Sequence, residues 1–431
     1  MRKGFLIDRG RKDRIVLAAL KLPGQSTDSV IESLNELAAL SRSAGGEVVA
    51  TITQARERFR PGYVFGEGKL QEIKQLCNQT KAKLVIYDGE LSPSQQEKLE
   101  EFIDIAVIDR PALILDIFAR HARTREAKTQ VELAQLEYLL PRLSGHWTHL
   151  ERQEAAIGTR GPGETQLETD RRLIQKKIAE LKKSLKKIDV DREIQRKGRI
   201  DKINFCLVGY TNAGKSSLFN KISGQRALVA PRFFATLDST TRRVHAGGKV
   251  EYLLTDTVGF IRKLPINLVA SFRSTLKEAS TADMLIHVVD FSAHDIDEKI
   301  STVNKVLEDI GAGELKRLIV FNKIDLVNNN NLRLNMMAKY PGCHFVSAKT
   351  DEGITMLLKS LSDACDDLYA EVLVVLPQFY TEAVALISKI MQIYSSRVEN
   401  SDFIFKGKLL KYEIPKLERA GAKVEIADKK S

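Results

Sequence analysis

The stretch that decides the fold reads Gly209-Tyr210-Thr211-Asn212-Ala213-Gly214-Lys215-Ser216. It is a complete G-x-x-x-x-G-K-S phosphate loop; residues 203–208 before it predict a buried strand, and residues 217–222 after it predict a helix. The backbone N–H groups of such a loop, together with the helix N-terminus, face phosphate oxygens. Lys215 is therefore expected to reach the β- and γ-phosphates, and the Ser216 hydroxyl to bind Mg²⁺.

Three further motifs, each directly after an apolar strand-like run, favour a guanine nucleotide. They are Asp256-Thr257-Val258-Gly259, Asn322-Lys323-Ile324-Asp325 and Ser347-Ala348-Lys349. The first can hold a Mg²⁺-bound water and offer the Gly259 amide to a γ-phosphate. The carboxylate of Asp325 suits the N1–H and N2–H₂ donors of guanine, a pattern that adenine lacks, and the Ala348 amide can meet guanine O6.

A fourth motif lies between the phosphate loop and Asp256, where a loop that senses the γ-phosphate belongs. It reads Phe234-Ala235-Thr236-Leu237-Asp238-Ser239-Thr240-Thr241-Arg242. One threonine hydroxyl is expected to complete the Mg²⁺ shell in the triphosphate state and to release it after hydrolysis. The spacing leaves Thr236, Thr240 and Thr241 open as candidates.

Together these motifs resemble the HflX family of translation-factor-class GTPases. Residues 161–172 (GPGETQLETDRR) match the most distinctive signature of that family, and shorter matches lie at 65–69, 91–96, 109–110 and 130–136. The resemblance covers about residues 45–365. It implies that Thr236 is the Mg²⁺ ligand of the switch and that the partner is the large ribosomal subunit with its RNA. The family usually has proline where this chain has Ser239.

The candidate residues follow from these motifs. The catalytic candidates are Lys215, Thr236 and Gly259, and the metal candidates are Ser216 and Thr236. The candidates for binding the nucleotide are Gly209, Tyr210, Thr211, Asn212, Ala213, Gly214, Lys215, Ser216, Ser217, Phe234, Ala235, Thr236, Leu237, Asp238, Asp256, Thr257, Val258, Gly259, Asn322, Lys323, Ile324, Asp325, Ser347, Ala348 and Lys349.

The length of 431 residues predicts several domains. We expect an α/β fold class with an N-terminal α/β domain (1–110), a long antiparallel helical hairpin with a glycine-rich tip loop (111–202), a GTPase domain with a mostly parallel sheet (203–368) and a small C-terminal α+β domain (369–431). No apolar run is long enough to cross a bilayer, so no membrane insertion is expected. The four scattered cysteines indicate a reducing cytoplasm, and a monomer is expected.

Local patterns predict the elements around this core. In the N-terminal domain, alternating strands and helices indicate a parallel sheet, with Asp28 as one helix cap and Ser92 or Ser94 as another. Residues 65–69 (FGEGK) resemble a phosphate-binding turn, with an ordinary strand-to-helix turn as the alternative. In the C-terminal domain, residues 373–376 predict a strand and residues 382–394 a helix.

The formal net charge of +11 is concentrated in the predicted hairpin. Residues 171–202 hold thirteen Lys and Arg against five Asp and Glu, which favours a polyanion such as ribosomal RNA; a solvated helix face is the alternative. Apolar residues at 174, 178, 181, 185 and 188 predict a coiled-coil seam, or core contact with the first domain. The tip loop, from Arg142 through His146, Trp147, His149 and Arg152 to Arg160, suits folded RNA or is a mobile connector.

Many GTPases place a water-orienting glutamine directly after the DxxG glycine, but this chain has Phe260 there. Because a phenyl ring cannot orient water, we expect slow intrinsic hydrolysis of GTP and stimulation by a partner. The resemblance implies that this partner is the ribosome and that stalled ribosomes are split or rescued under stress. The alternatives are a GTP-gated scaffold for RNA or protein and a ribosome-assembly GTPase.

Asn212 occupies the fourth position of the phosphate loop, where it resembles GTPases that bind K⁺ beside the phosphates. A monovalent cation there would neutralise charge that develops between the phosphates. The hypothesis that K⁺ binds there predicts faster GTP hydrolysis in K⁺ buffer than in Na⁺ buffer of equal ionic strength. Equal steady-state rates in the two buffers would contradict a K⁺ site.

Overall fold

The computed structural model describes residues 13–57, 62, 64–143, 163–197, 203–224, 234, 239–246, 250–263, 278–377, 381–399 and 402–426. The N-terminal domain is a four-stranded parallel sheet in the order β2-β1-β3-β4 with helices packed on it. Its elements are β1 (Arg14–Lys21), α1 (Thr27–Ser43), β2 (Glu47–Ala55), α2 (Glu67–Thr80), β3 (Leu84–Tyr87), α3 (Pro93–Ile103), β4 (Ala106–Asp109) and α4 (Arg110–His121). The parallel sheet expected from the strand–helix alternation is thereby confirmed.

Polar side chains fix where these helices begin. Ser26, and not the predicted Asp28, caps α1, because its hydroxyl accepts the Ser29 amide while Asp28 lies in the first helical turn. Ser92 caps α3 in a reciprocal capping box with Gln95. The amide of Gly66, ahead of α2, donates to the side chain of Gln54 at 3.0 Å.

The helical hairpin consists of α5 (Arg125–Leu139) and α6 (Gly163–Lys197). Four of the five predicted seam residues of α6 pack against leucines of α5 and of the turn after it, in a cluster of Leu133, Leu136, Leu140, Ile174, Ile178, Leu181 and Leu185; Ile188 does not belong to this cluster. A 3-10 turn, Leu140–Arg142, follows α5. The hydroxyl of Tyr138 donates to Asp109 at 2.8 Å, and the Arg142 guanidinium lies 3.6 Å from the Tyr138 ring centroid. The hairpin is thereby anchored to the N-terminal domain; its tip, with His146, Trp147, His149, Arg152 and Arg160, lies outside the described residues.

The GTPase domain is built on a six-stranded sheet in the order β10-β9-β8-β5-β7-β6. All neighbours pair in parallel except β6 and β7, so the predicted mostly parallel sheet is confirmed. Its elements are β5 (Asn204–Gly209), α7 (Lys215–Ile222), β6 (Thr240–Ala246), β7 (Val250–Asp256), β8 (Met284–Asp290), α8 (Ile296–Asp309), β9 (Arg317–Asn322), a 3-10 turn (Ile324–Leu326), α9 (Asn330–Lys339), β10 (His344–Phe345) and α10 (Ile354–Leu368). Ligands of such sheets bind at the carboxyl ends of the strands.

The C-terminal domain is an antiparallel sheet in the order β12-β13-β11-β14, covered by two helices. Its elements are β11 (Tyr369–Pro377), α11 (Thr381–Ile390), β12 (Met391–Glu399), β13 (Asp402–Leu410) and α12 (Ile414–Arg419) with β14 (Lys423–Ile426). The helix predicted to run to Tyr394 is wrong at its end, because β12 begins at Met391 and pairs with β13. Within the described segments, no helix is long and apolar enough to cross a membrane.

The N-terminal and GTPase domains share one apolar cluster. Phe118 of α4 meets Phe234 in an edge-to-face contact, with 4.5 Å between ring centroids. Phe260 and Ile261 belong to the same cluster, and both are buried. The predicted fold class, a mixed α/β protein with a parallel-sheet GTPase domain and a small C-terminal α+β domain, is confirmed, whereas the exact domain boundaries remain a prediction.

Candidate functional site

The phosphate loop connects the central strand β5 to α7. Gly214 adopts φ +90° at the N-cap of α7, a conformation that side chains rarely tolerate. The buried ammonium of Lys215 donates to the carbonyl oxygens of Gly209 and Tyr210 at 3.0 and 2.9 Å. Burial lowers the pKa of Lys215 to about 8, although the charge of Asp256 opposes that shift. The loop carbonyls thus hold the desolvated Lys215 ammonium beside the helix N-terminus. Both the ammonium and the helix N-terminus favour an anionic ligand at this position.

Two oxygen-bearing side chains meet beside this lysine. The hydroxyl of Ser216, in the first turn of α7, donates to Oδ2 of Asp256, at the end of β7, over 2.6 Å. A hydroxyl and a carboxylate are hard oxygen donors of the kind that Mg²⁺ prefers, so these residues fit the predicted metal. The neighbouring Thr257 and Val258 turn inward: the Thr257 hydroxyl donates to the Leu207 carbonyl at 2.6 Å, and Val258 is buried in the core.

The loop 257–263, called here the Gly259 loop, lies directly on the phosphate loop. The Thr211 amide donates to the Phe260 carbonyl at 2.7 Å, and the Phe260 amide donates to the Gly209 carbonyl at 3.1 Å. A methyl carbon on Gly259 would lie only 2.8 Å from the Lys215 ammonium and from the Thr211 Cα, so only glycine fits there. Phe260 is 2% exposed, and its ring packs in the apolar core that the two domains share.

The residues predicted to read the base lie at the ends of β9 and β10. Asn322 ties two loops together, because its Nδ2 donates to the Ala213 carbonyl at 2.9 Å and its Oδ1 accepts the Ala348 amide at 3.1 Å. That amide, predicted to meet guanine O6, is therefore engaged with Asn322. Ser347 donates to Oδ1 of the exposed Asp325 at 2.7 Å, which orients the carboxylate.

The other residues of these two motifs make contacts at the same edge of the sheet. Lys323 has φ +66° and its ammonium lies 2.7 Å from Asp290 at the end of β8. The Lys349 amide donates to the Ser347 hydroxyl at 3.3 Å. Ile324 packs, partly buried, against the apolar cluster beneath the base-reading loop. Ser217 follows Ser216 in the first turn of α7 and is half-buried.

The γ-phosphate-sensing segment is only partly described. Ala235, Thr236, Leu237 and Asp238 lie outside the described residues, and Phe234 packs against the N-terminal domain. Thr240 pairs with Asp256 on the β6–β7 ladder, and the Thr241 hydroxyl lies 3.0 Å from that of Thr255.

Sequence reasoning missed the polar groups of the N-terminal domain that surround the phosphate loop. The Tyr210 hydroxyl donates to Glu36 of α1 at 2.6 Å and accepts the Arg262 amide at 2.8 Å. Glu36 and Asp88 in turn bind the fully buried guanidinium of Arg110 at 2.6 and 2.7 Å. Nothing in local spacing signals these contacts, since Glu36 and Tyr210 are 174 residues apart in the chain.

Three family models match the chain. They describe the N-terminal region of a GTP-binding GTPase (residues 31–119), the middle region of a GTP-binding GTPase (residues 121–199) and a 50S ribosome-binding GTPase (residues 204–323). GTPase HflX of Flavobacterium psychrophilum is 48% identical over 313 residues, which cover 73% of this chain and 76% of that protein. GTPase HflX of Escherichia coli is 47% identical over 339 residues, covering 78% and 80%. A crystal structure of a GTP-binding protein from Sulfolobus solfataricus with GDP aligns over 83% of this chain and 99% of its own, with 25% identity and a TM-score of 0.43.

The lowered pKa of Lys215 makes phosphate binding depend on pH. An anionic phosphate stabilises the charged ammonium, so nucleotide binding raises the pKa of Lys215. Above pH 8, where Lys215 is mostly neutral in the free protein, formation of the complex is therefore coupled to uptake of a proton. We expect nucleotide affinity to fall about tenfold per pH unit at most between pH 8 and 9.5. Calorimetry in buffers of different ionisation enthalpy measures the proton uptake.

The matched control is Lys221→Ala, which removes an exposed lysine from the same helix. It should leave both the affinity and the proton uptake as they are in the parent chain. An affinity that stays constant from pH 7 to 9.5 would contradict the titration of Lys215.

Proposed function

The chain belongs to the HflX family of GTPases and hydrolyses GTP; on that premise we propose that it is a ribosome-associated GTPase that binds the large subunit through ribosomal RNA and splits or rescues stalled ribosomes. The observation that supports this most directly is that one chain contains both a guanine-nucleotide site, with its phosphate loop and base-reading loop, and a strongly basic helical hairpin. The family model of the GTPase domain describes a 50S ribosome-binding GTPase, which favours the same partner.

The proposed roles follow the contacts at the site. Lys215 and the amides of the phosphate loop neutralise the phosphates, while Ser216, Asp256 through a water, and Thr236 would hold Mg²⁺. The ion supplies charge neutralisation between the β- and γ-phosphates when bound. The Gly259 amide contacts the γ-phosphate. Since the Phe260 ring is buried, the attacking water has to be oriented by another group, which we assign to the ribosomal complex; the intrinsic rate is then slow.

The hairpin provides the proposed RNA contact. Lys177 and Lys182 of α6 form ion pairs with Glu132 and Glu137 of α5. Lys183, Lys186 and Lys187 are exposed and form no ion pair within the described part of the chain. Lysines whose charge is not matched by the protein are the ones that release counterions on binding a phosphate backbone.

Asp325→Asn tests the reading of the base. The substitution replaces a carboxylate that accepts two guanine donors by an amide that accepts one, so GTP affinity should fall by about 10²-fold or more. Xanthosine triphosphate, which carries an acceptor where guanine has its amino group, should bind the variant better than GTP does. Competition against a fluorescent nucleotide measures both affinities; a variant that still prefers GTP would contradict the role of Asp325.

Lys183→Gln combined with Lys186→Gln and Lys187→Gln tests the RNA contact. Each phosphate contact removed should reduce the slope of log affinity against log salt by about 0.7–0.9, so up to about 2–3 for the triple variant. Cosedimentation with large subunits, in a non-hydrolysable GTP analogue and over a salt series, measures the slope. GTP hydrolysis without ribosomes should be unchanged.

The matched control is Lys177→Gln with Lys182→Gln, which removes two lysines of the same helix that the protein already pairs. It should bind ribosomes with nearly the parent slope. If the triple and double variants lose affinity equally, the unpaired face of α6 is not the contact. If ribosomes do not accelerate hydrolysis by the parent chain, a scaffold that works without turnover is favoured instead.

A further inference from the structure

Thr211 is the third residue of the phosphate loop, and its backbone N–H is already engaged with a neighbouring loop. The Thr211 amide donates to the Phe260 carbonyl at 2.7 Å, and the next residue, Asn212, has φ +60°. A phosphate loop binds its ligand largely through backbone amides. Since this amide is engaged, the side-chain hydroxyl is the donor with which Thr211 can reach a phosphate.

The Thr211 hydroxyl is buried and has no hydrogen-bond partner within the described part of the chain. The whole residue is 7% exposed. By contrast, the hydroxyl groups of Ser216 and Thr257 in the same site each donate to a protein oxygen at 2.6 Å. Burying a hydroxyl without a partner destabilises a protein, so the position of this group requires a functional explanation.

The Thr211 side chain lies where the terminal phosphate is expected. A methyl carbon built on Gly259 would lie 2.9 Å from the Thr211 methyl carbon and 2.8 Å from the Lys215 ammonium. Thr211 and Lys215 therefore flank the same residue, whose amide is the proposed γ-phosphate contact. Thr211 also lines a cavity of about 310 Å³ beside the phosphate loop, which gives a ligand access to this residue.

The methyl group of Thr211 lies closer to Gly259 than its hydroxyl does. Because side chains occupy staggered wells, a rotation of about 120° about the Cα–Cβ bond carries the hydroxyl to the position of the methyl group. The hydroxyl breaks no hydrogen bond within the described residues when it turns. An anionic phosphate oxygen that reaches the Lys215 ammonium is then a strong acceptor for this hydroxyl.

We propose that the Thr211 hydroxyl donates a hydrogen bond to a γ-phosphate oxygen and so favours binding of GTP over GDP. The proposal rests on the proposed γ-phosphate contact of Gly259. GDP lacks the acceptor, so a complex with GDP leaves the hydroxyl without a partner, whereas GTP supplies one. A site with a buried polar group that only one ligand can pair discriminates against the other ligand.

Thr211→Val tests this contact, because it replaces the hydroxyl by a methyl group and keeps the branched shape of the side chain. We measure affinities for GDP and for a non-hydrolysable GTP analogue, each with Mg²⁺, by competition against fluorescent GDP on the full chain without ribosomes. The analogue should bind the variant about 10- to 100-fold more weakly, the effect of one hydrogen bond to a charged group. The affinity for GDP should change by less than about twofold, since GDP offers this hydroxyl no acceptor.

Thr211→Ser keeps the hydroxyl and should retain the parent ratio of the two affinities. Thr255→Val is the matched control, because the Thr255 hydroxyl is buried in β7 and donates to Asn204 at 3.1 Å. This control should lower the melting temperature and leave the ratio unchanged. Thr211→Val should not lower the melting temperature of the nucleotide-free chain, since it removes no hydrogen bond within the protein.

An unchanged ratio in Thr211→Val overturns the proposal. An equal loss of affinity for GDP and the analogue, or a lowered melting temperature, also overturns it, because the hydroxyl then acts on the β-phosphate or within the loop itself.

Gly259→Ala separates a failure of this proposal from a failure of the contact on which it rests. If Gly259→Ala weakens the analogue selectively and Thr211→Val does not, the γ-phosphate contact of Gly259 is supported and the role of Thr211 is wrong. If neither variant weakens the analogue selectively, both are wrong. No measurement here involves ribosomes, so the proposed ribosomal function is tested independently.

Discussion

The guanidinium group of Arg110 is fully buried, and the arrangement of the N-terminal and GTPase domains depends on how its charge is matched. Burying an unpaired ion costs several kcal/mol, and removing one partner of a buried ion pair costs about 3–5 kcal/mol. The buried guanidinium therefore requires carboxylates in direct contact with it. Glu36 and Asp88 do so from α1 and from the end of β3. Burial disfavours the charged form of Asp88, but the facing charges of Arg110 and Lys263 outweigh it, and the pKa of Asp88 lies below its usual value.

The same two carboxylates have a second set of partners in the GTPase domain. Glu36 accepts the hydroxyl of Tyr210, and Asp88 accepts the ammonium of Lys263. The buried charge of one domain therefore fixes the oxygens that meet the phosphate loop and the Gly259 loop of the other. The apolar part of this contact, with Phe118 against Phe234 and the buried ring of Phe260, excludes water and strengthens the polar contacts around it. Position 260, which holds a glutamine in many GTPases, is thus occupied here by a phenylalanine that packs in the core.

Local sequence signals are enough to predict the elements of the nucleotide site. The phosphate loop, the strand before it and the glycine at its N-cap form within a dozen residues, and periodicity also predicts the parallel sheets and the seam between α5 and α6. The helix end in the C-terminal domain was misplaced because 391–394 (MQIY) suits a helix and a strand equally, and pairing with β13 decides it. The contacts of Tyr210 could not be predicted, because Glu32 and Glu36 are four residues apart on α1 and look like a solvated helix face.

Asp109 and Arg110 are adjacent in the chain but face two different neighbours. Asp109 caps α4, accepts the Tyr138 hydroxyl and lies 3.4 Å from Arg142 at the root of the hairpin. Arg110 binds the carboxylates that meet the GTPase domain. Burial raises the pKa of Asp109 despite the hydrogen bonds that it accepts from Ala112, Leu91 and Tyr138, whereas Asp88 stays firmly ionised beside two cations. Because Asp109 and Arg110 are consecutive residues, the contacts at the root of the hairpin and those that face the GTPase domain start from one point at the end of β4. The N-terminal domain thus lies between the proposed RNA-binding element and the site of GTP hydrolysis and contacts both.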